Sequence, residues 1–167
     1  MRISLAAACA LAAPLAFAQL GTQDPDWKEV DAPPPPALRT EKLIEVEVPR
    51  ATLNYGVDPA SVSVGKDGIV RYVVVASAPG GPVSGIYEGI RCGTAEVKVY
   101  ARHNAGSGWK PVVGGDWRPI HDGAFRHSLY IARNGACSGH TPGASATQVV
   151  RELSAGVDRR GRTDSHR

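Results

Sequence analysis

The run Ile69-Val70-Arg71-Tyr72-Val73-Val74-Val75-Ala76 constrains the fold more than any other stretch of the chain. Val70, Tyr72, Val73, Val74 and Val75 are β-branched or aromatic, the types that suit a packed, pleated surface. Their near-continuous apolar order, without alternation, predicts a central strand covered on both faces. Ser61 to Val64 precedes it, and Gly65-Lys66-Asp67-Gly68 supplies the turn of a hairpin, with Gly68 free to take positive φ. Leu43 to Val48 alternates instead: Ile44, Val46 and Val48 share one face, Glu45 and Glu47 the other, and Pro49 stops the strand.

Pro79-Gly80-Gly81-Pro82 breaks the chain, and strands are predicted over Val83 to Cys92 and Glu96 to Arg102. In the second of these Val97 and Val99 face one way, Glu96, Lys98 and Tyr100 the other. Asn104 to Gly108 reads as a turn, and Trp109 to Val113 and Trp117 to Ile120 as short strands around Gly114-Gly115. The period then changes. Asp122 caps a predicted helix with Phe125, Leu129 and Ala132 on one side and Asn134-Gly135 as its stop. Ser145 and Gln148 form a capping-box pattern before Val149, Val150 and Leu153, with Gly156 as the expected end. The fold class that follows is α+β: an antiparallel sheet of about six strands, then two short helices. The competing fold is an all-β sandwich with Phe125 to Arg133 as a strand.

The ends have other properties. Arg2, the apolar run Ile3 to Leu15 and the triplet Ala16-Phe17-Ala18 predict a cleaved signal peptide over residues 1–18, leaving Gln19 first. Two alternatives are an uncleaved anchor and lipidation at Cys9, which sits inside the apolar run rather than at its end. Residues 19–41, with Pro33 to Pro36 and only Trp27 and Leu38 as sizeable apolar groups, read as a Pro-rich disordered linker. Docking of this segment on an aromatic groove is the alternative. Residues 157–167, carrying Arg159, Arg160, Arg162 and Arg167, read as a disordered basic tail. A single domain is expected over 42–156.

Composition excludes several classes. A net charge of +3 over 167 residues gives no case for nucleic acid or an anionic membrane as partner. No apolar run beyond the first stretch approaches the ~18 residues of a membrane span. No P-loop, G-x-G-x-x-G or G-x-S-x-G is present, and Ser63-Val64-Gly65-Lys66 places its formal S-x-x-K at a strand-to-turn junction rather than on a helix. No cofactor is implied.

Several blocks together carry a resemblance. They are Ser61-Val62-Ser63-Val64-Gly65, Asp67-Gly68-Ile69-Val70-Arg71-Tyr72 and, most specific, Tyr87-Glu88-Gly89-Ile90-Arg91-Cys92. Tyr100-Ala101, the Trp109…Trp117-x-x-Ile120 spacing and Cys137 complete the pattern. Over about residues 40–155 the chain resembles the CNP1-like family of small exported proteobacterial proteins. The resemblance implies an exported domain of unknown biochemical function and supplies no catalytic residues.

Cys92 and Cys137 remain after signal cleavage, and in an oxidising compartment two such cysteines pair. The alternative is a zinc site built on Cys137-x-x-His140, with the remaining ligands among Cys92, His103, His121 and His127. The five histidines show no metal-binding spacing and read as solvated or hydrogen-bonded turn residues. Glu88 and Asp116 are an acid/base pair in a hydrolase reading. A bulge at Gly89 would instead join Glu88 to Arg91 in a structural salt bridge. Tyr72, Tyr87, Tyr100, Trp109 and Trp117 lie on neighbouring strands, and Tyr87, Glu88, Arg91, Trp109 and Trp117 form the candidate binding patch; alternatively the tryptophans cover one end of the core. The reading is a periplasmic or secreted domain that binds an envelope protein or polysaccharide or has a structural role, with an envelope hydrolase as the alternative.

Overall fold

Ten strands and two α-helices follow one another in the computed structural model, which describes residues 25–164, with side chains through residue 156. The strands of the main sheet are β1 (Ile44–Val46), β2 (Asn54–Val57), β3 (Ser63–Val64), β4 (Ile69–Ser77), β5 (Val83–Arg91), β6 (Glu96–Asn104), β7 (Gly108–Pro111) and β8 (Arg118–Pro119). Helix α1 (Arg126–Ile131) runs into a π-helical turn at Ala132–Ala136. A small pair, β9 (Cys137–Ser138) and β10 (Thr141–Pro142), precedes helix α2 (Ala146–Asp164). The order β1-β2-β4-β5-β6-β7 is an antiparallel meander. β2 pairs with one half of β4 and β3 with the other, while β7 and β8 divide β6 in the same way. Eight strands thus occupy six positions across the sheet, close to the number expected. The fold is α+β and sheet-dominated, and α1 removes the sandwich alternative.

The two faces of β4 do different things. Val70, Tyr72 and Val74 face inward onto Ile86, Ile90 and Val97, and onto Ile131, Ala136, Val149 and Leu153 of the C-terminal elements. Val73 and Val75 face outward, onto Tyr87 and Ala101. Both faces are therefore buried, as the unbroken apolar run requires. Alternation explains the division, since neighbouring side chains on a strand point to opposite faces.

The outer face is covered by residues 27–40, which adopt no helix or strand. This corrects the expectation of a disordered linker. Ala32 and Leu38 pack on the outer cluster with Trp109, and Leu38 Cδ1 and Trp109 lie where a side chain at Gly85 would stand. Glycine at position 85 leaves room for this strap.

Three further differences have local causes. β2 was not expected: Asn-Tyr-Gly-Val lacks alternation, but Gly56 is needed because a Cβ there would stand 2.8 Å from Leu43 Cβ. The register shift in the β5–β6 pair falls between Tyr87 and Glu88, with Tyr100 the extra residue on β6. Gly89 itself is regular, and it is glycine because the Tyr100 ring and Ile69 cover its outer side. Helix α2 does not stop at Gly156 but continues to Asp164. A helical glycine costs only about 1 kcal/mol, which the continuing helix absorbs at Gly156. Its start follows the expected chemistry: Gln148 N–H donates to Ser145 Oγ, and Gln148 Oε1 accepts from Ala144 N–H.

Cys92 and Cys137 form a disulfide, with Cα atoms 5.7 Å apart. It ties the end of β5 to the C-terminal elements. The predicted signal peptide, with Cys9, lies outside the described residues.

Candidate functional site

Each face of the sheet holds one polar cluster. On the inner face the cross-strand neighbours Tyr72 and Glu88 meet α1. Tyr72 Oη donates to Glu88 Oε1 at 2.6 Å, and Ser128 Oγ donates to the same oxygen at 2.7 Å. His127 Nε2 lies 3.1 Å from Glu88 Oε2, and the His127 ring stacks on Tyr55 with centroids 5.0 Å apart. Glu88 and Ser128 are both 0% exposed. Burial alone would push the Glu88 carboxyl up. The His127 charge and the hydrogen bonds from His127, Tyr72 and Ser128 outweigh it and hold the group below its ordinary range. Burial, then the Glu88 charge, pushes the Tyr72 phenol well up.

This cluster contains Ser, His and Glu without forming a nucleophilic triad. The serine donates to the carboxylate, not to the imidazole, so the Ser–His contact that defines a triad is not made. The chemistry supported is structural: three donors from β4 and α1 converge on one buried carboxylate and bolt the helix to the sheet.

On the outer face the cluster joins the strap to the sheet. Arg71, 3% exposed, binds Asp67 through both terminal nitrogens, at 3.3 and 2.7 Å, and donates to the Val30 carbonyl at 2.9 Å. The Val30 N–H and the Trp27 indole N–H both return to Asp67. Glu29 takes Lys98 Nζ at 2.9 Å and Trp117 Nε1 at 3.1 Å on Oε2, and Tyr100 Oη at 2.9 Å on Oε1. Burial opposes the charge of Glu29, but the donors from Lys98, Tyr100 and Trp117 prevail and lower its pKa. Asp67 is lowered in the same manner, chiefly by Arg71 acting against burial. Tyr100 is raised by burial and by its bond to Glu29.

The candidate patch divides between the two faces. Tyr87 is buried on the outer face against Tyr100, with ring centroids 5.3 Å apart. Arg91 lies over the Trp27 ring at 3.6 Å. Trp109 donates to the Pro36 carbonyl at 2.8 Å and meets His103 edge-on. Trp117 donates to Glu29. Glu88 sits apart from these four on the inner face, and Tyr72, the other aromatic of the expected strip, is there with it. The Glu88–Arg91 salt bridge is not formed: Glu88 is engaged by Tyr72, Ser128 and His127, while Arg91 lies 3.8 Å from Glu96. Glu88 is sealed whereas Asp116 is exposed, so they do not make an acid/base pair.

His127 was expected in a turn or in solvent, and it is instead buried in α1. No local pattern identifies it, because its partner is 39 residues away. The disulfide consumes both thiols of the zinc alternative. Among the described residues no group of three or more His, Cys, Asp or Glu is arranged to hold a metal. A cleft of about 930 Å³ opens beside β1 and β2, lined by Lys42, Glu45, Glu47, Leu53, Asn54 and Ser77 among others. It contains none of the two clusters' hydrogen-bonded residues.

The profile of the CNP1-like family matches residues 22–154, from just before the strap to the buried part of α2. The chain belongs to the CNP1-like family. The matched span includes the strap together with the sheet, so the CNP1-like unit begins well before residue 42. No curated protein and no solved structure matches the chain. Among the described residues no helix is long and apolar enough to cross a membrane.

Proposed function

We propose that this CNP1-like chain is an exported module of the bacterial envelope that acts by binding or as a structural part rather than by catalysis. The Cys92–Cys137 disulfide carries the reading of export. Such bonds persist in oxidising compartments and are rare in the cytosol, and the sequence of residues 1–18 has the form of a cleaved leader. The binding or structural role is supported by the way the polar groups are used. Glu88, the strongest acid candidate, has both oxygens engaged in a sealed bolt, and the remaining clustered groups join the strap to the sheet. The partner class is an envelope protein or polysaccharide.

The test is expression with the native leader, followed by fractionation, intact mass and thiol titration of the denatured, unreduced chain. The expected result is a periplasmic or secreted protein beginning at Gln19 with no titratable thiol at Cys92 or Cys137. A cytoplasmic chain with both thiols free would overturn the proposal.

A further inference from the structure

We propose that the outer face of the sheet is a carboxylate-recognition site for an extended acidic peptide of a partner protein, with Glu29 of the strap as its tethered resident ligand. This deepens the binding reading above and rests on it. Lys98 Nζ, Tyr100 Oη and Trp117 Nε1 converge on one carboxylate from β6 and the loop leading to β8. Arg71 NH2 stands 3.9 Å from the same group. Two cations and two neutral donors around one carboxylate are a built anion site. Lys98 and Tyr100 stand on β6 and Arg71 on β4, so three of the four groups belong to the sheet itself, while Trp117 precedes β8.

The occupant differs in kind from the rest of the outer layer. Residues 27–40 make no backbone-to-backbone hydrogen bond among the described residues. The strap is held by side chains: Trp27 to Asp67, Glu29 to Lys98, Tyr100 and Trp117, and the Pro36 carbonyl to Trp109. Arg39 to Lys42, which join it to the sheet, are exposed. Leaving the sheet would cost this segment its side-chain contacts, the Val30 bonds to Arg71 and Asp67 and the packing of Ala32 and Leu38, but no strand ladder.

The resident segment also defines what fits. Trp27, edge-on to Trp117 with centroids 6.2 Å apart and beneath Arg91, fills an aromatic position two residues before the carboxylate. The matching ligand is an extended peptide with an aromatic residue, one spacer and a glutamate. Tethering supplies the strap at an effective concentration of about millimolar, so an incoming peptide must compete with it.

The test uses the full mature chain and a labelled synthetic peptide of residues 25–38. Glu29→Ala in the receptor is expected to bind this peptide at least about tenfold tighter than wild type, because its own carboxylate no longer competes. Replacing Glu29 by Gln in the peptide, or Lys98→Met in the receptor, is expected to remove that gain. Acetate at about ten times its Kd should raise the melting temperature of Glu29→Ala by about 4 °C and leave wild type unchanged. If Glu29→Ala does not fold, Glu29→Gln takes its place in the same comparisons.

Equal binding by wild type and variant would overturn the proposal, as would no binding by a folded variant or indifference to the peptide's carboxylate. A peptide-free chain running as a strap-exchanged dimer would assign the seat to a second copy and overturn the partner assignment. Failure here leaves the reading of export intact, since that is decided by the mature N-terminus and the thiol count.

Discussion

Glu88 is where a small perturbation should have the largest readable effect. Glu88→Ala would leave the Tyr72 and Ser128 hydroxyls and the His127 imidazole facing a hole in a fully buried site. Removing one partner of a buried charged pair costs about 3–5 kcal/mol, and each orphaned buried donor about 1–3 kcal/mol. These overlap, so about 4 kcal/mol is expected, against a total stability of about 5–15 kcal/mol for a domain. Glu88→Gln keeps one oxygen for the two hydroxyls but turns an amide toward His127, and about 2 kcal/mol is expected. Acid separates the carboxylate from its shape. The folded-state pKa of Glu88 is depressed, so its contribution is complete above the ordinary glutamate value of about 4.3. It is lost as the pH falls from there through the folded value. Urea unfolding of wild type and Glu88→Gln, followed by tryptophan fluorescence from pH 7 downward, should show the gap between them closing below about pH 4.3. Glu29 and Asp67 are also depressed but common to both proteins, so the difference reports Glu88 together with the His127 that faces it. A gap that stays constant on acidification would refute the bolt.

Other perturbations test other parts of the fold. Cys137→Ser opens a 45-residue link and should cost up to about 4 kcal/mol in the chain-entropy model, read as a lower urea midpoint. Gly135 has φ 149°, and a Cβ there would stand 2.6 Å from Glu152 Cβ and 2.8 Å from the α2 backbone. Gly135→Ala should therefore cost about 2–3 kcal/mol by overpacking, seen in the melting temperature. Val74→Asp places an unpaired charge at a fully buried position of β4, several kcal/mol uphill, and should yield no soluble folded protein. A wild-type melting curve would contradict the buried position of β4.

Legibility followed the range of the interactions. β4 was readable because its evidence is local, a run of β-branched residues. The start of α2 was readable for the same reason, in Ser145 and Gln148. β2 escaped notice because its glycine answers a packing demand from Leu43, which no period records. Gly156 misled because a glycine marks a helix end only when it takes a left-handed backbone; here it stays helical within α2. Four of the five patch residues do lie on one face, but what covers them was unreadable, since Trp27, Glu29 and Pro36 find their partners 40 to 88 residues away. Glu88 was noticed as an acid on an apolar strand. Its partners His127 and Ser128 arrive from a helix 39 and 40 residues later, so its role could not be inferred from its neighbours.

The strap also sets an order of assembly. The sheet is a meander of sequence neighbours, whose contacts can form as each strand follows the last. The strap is made first, yet Trp117, which binds Glu29, is 88 residues further along. Closing so long a loop gains nothing until its seat exists, so the first described segment of the chain is among the last to settle. Before that point Arg71 lacks the Val30 carbonyl and Lys98 lacks its carboxylate partner. Protection of residues 31–36 from a protease is thus a clock for completion of the sheet.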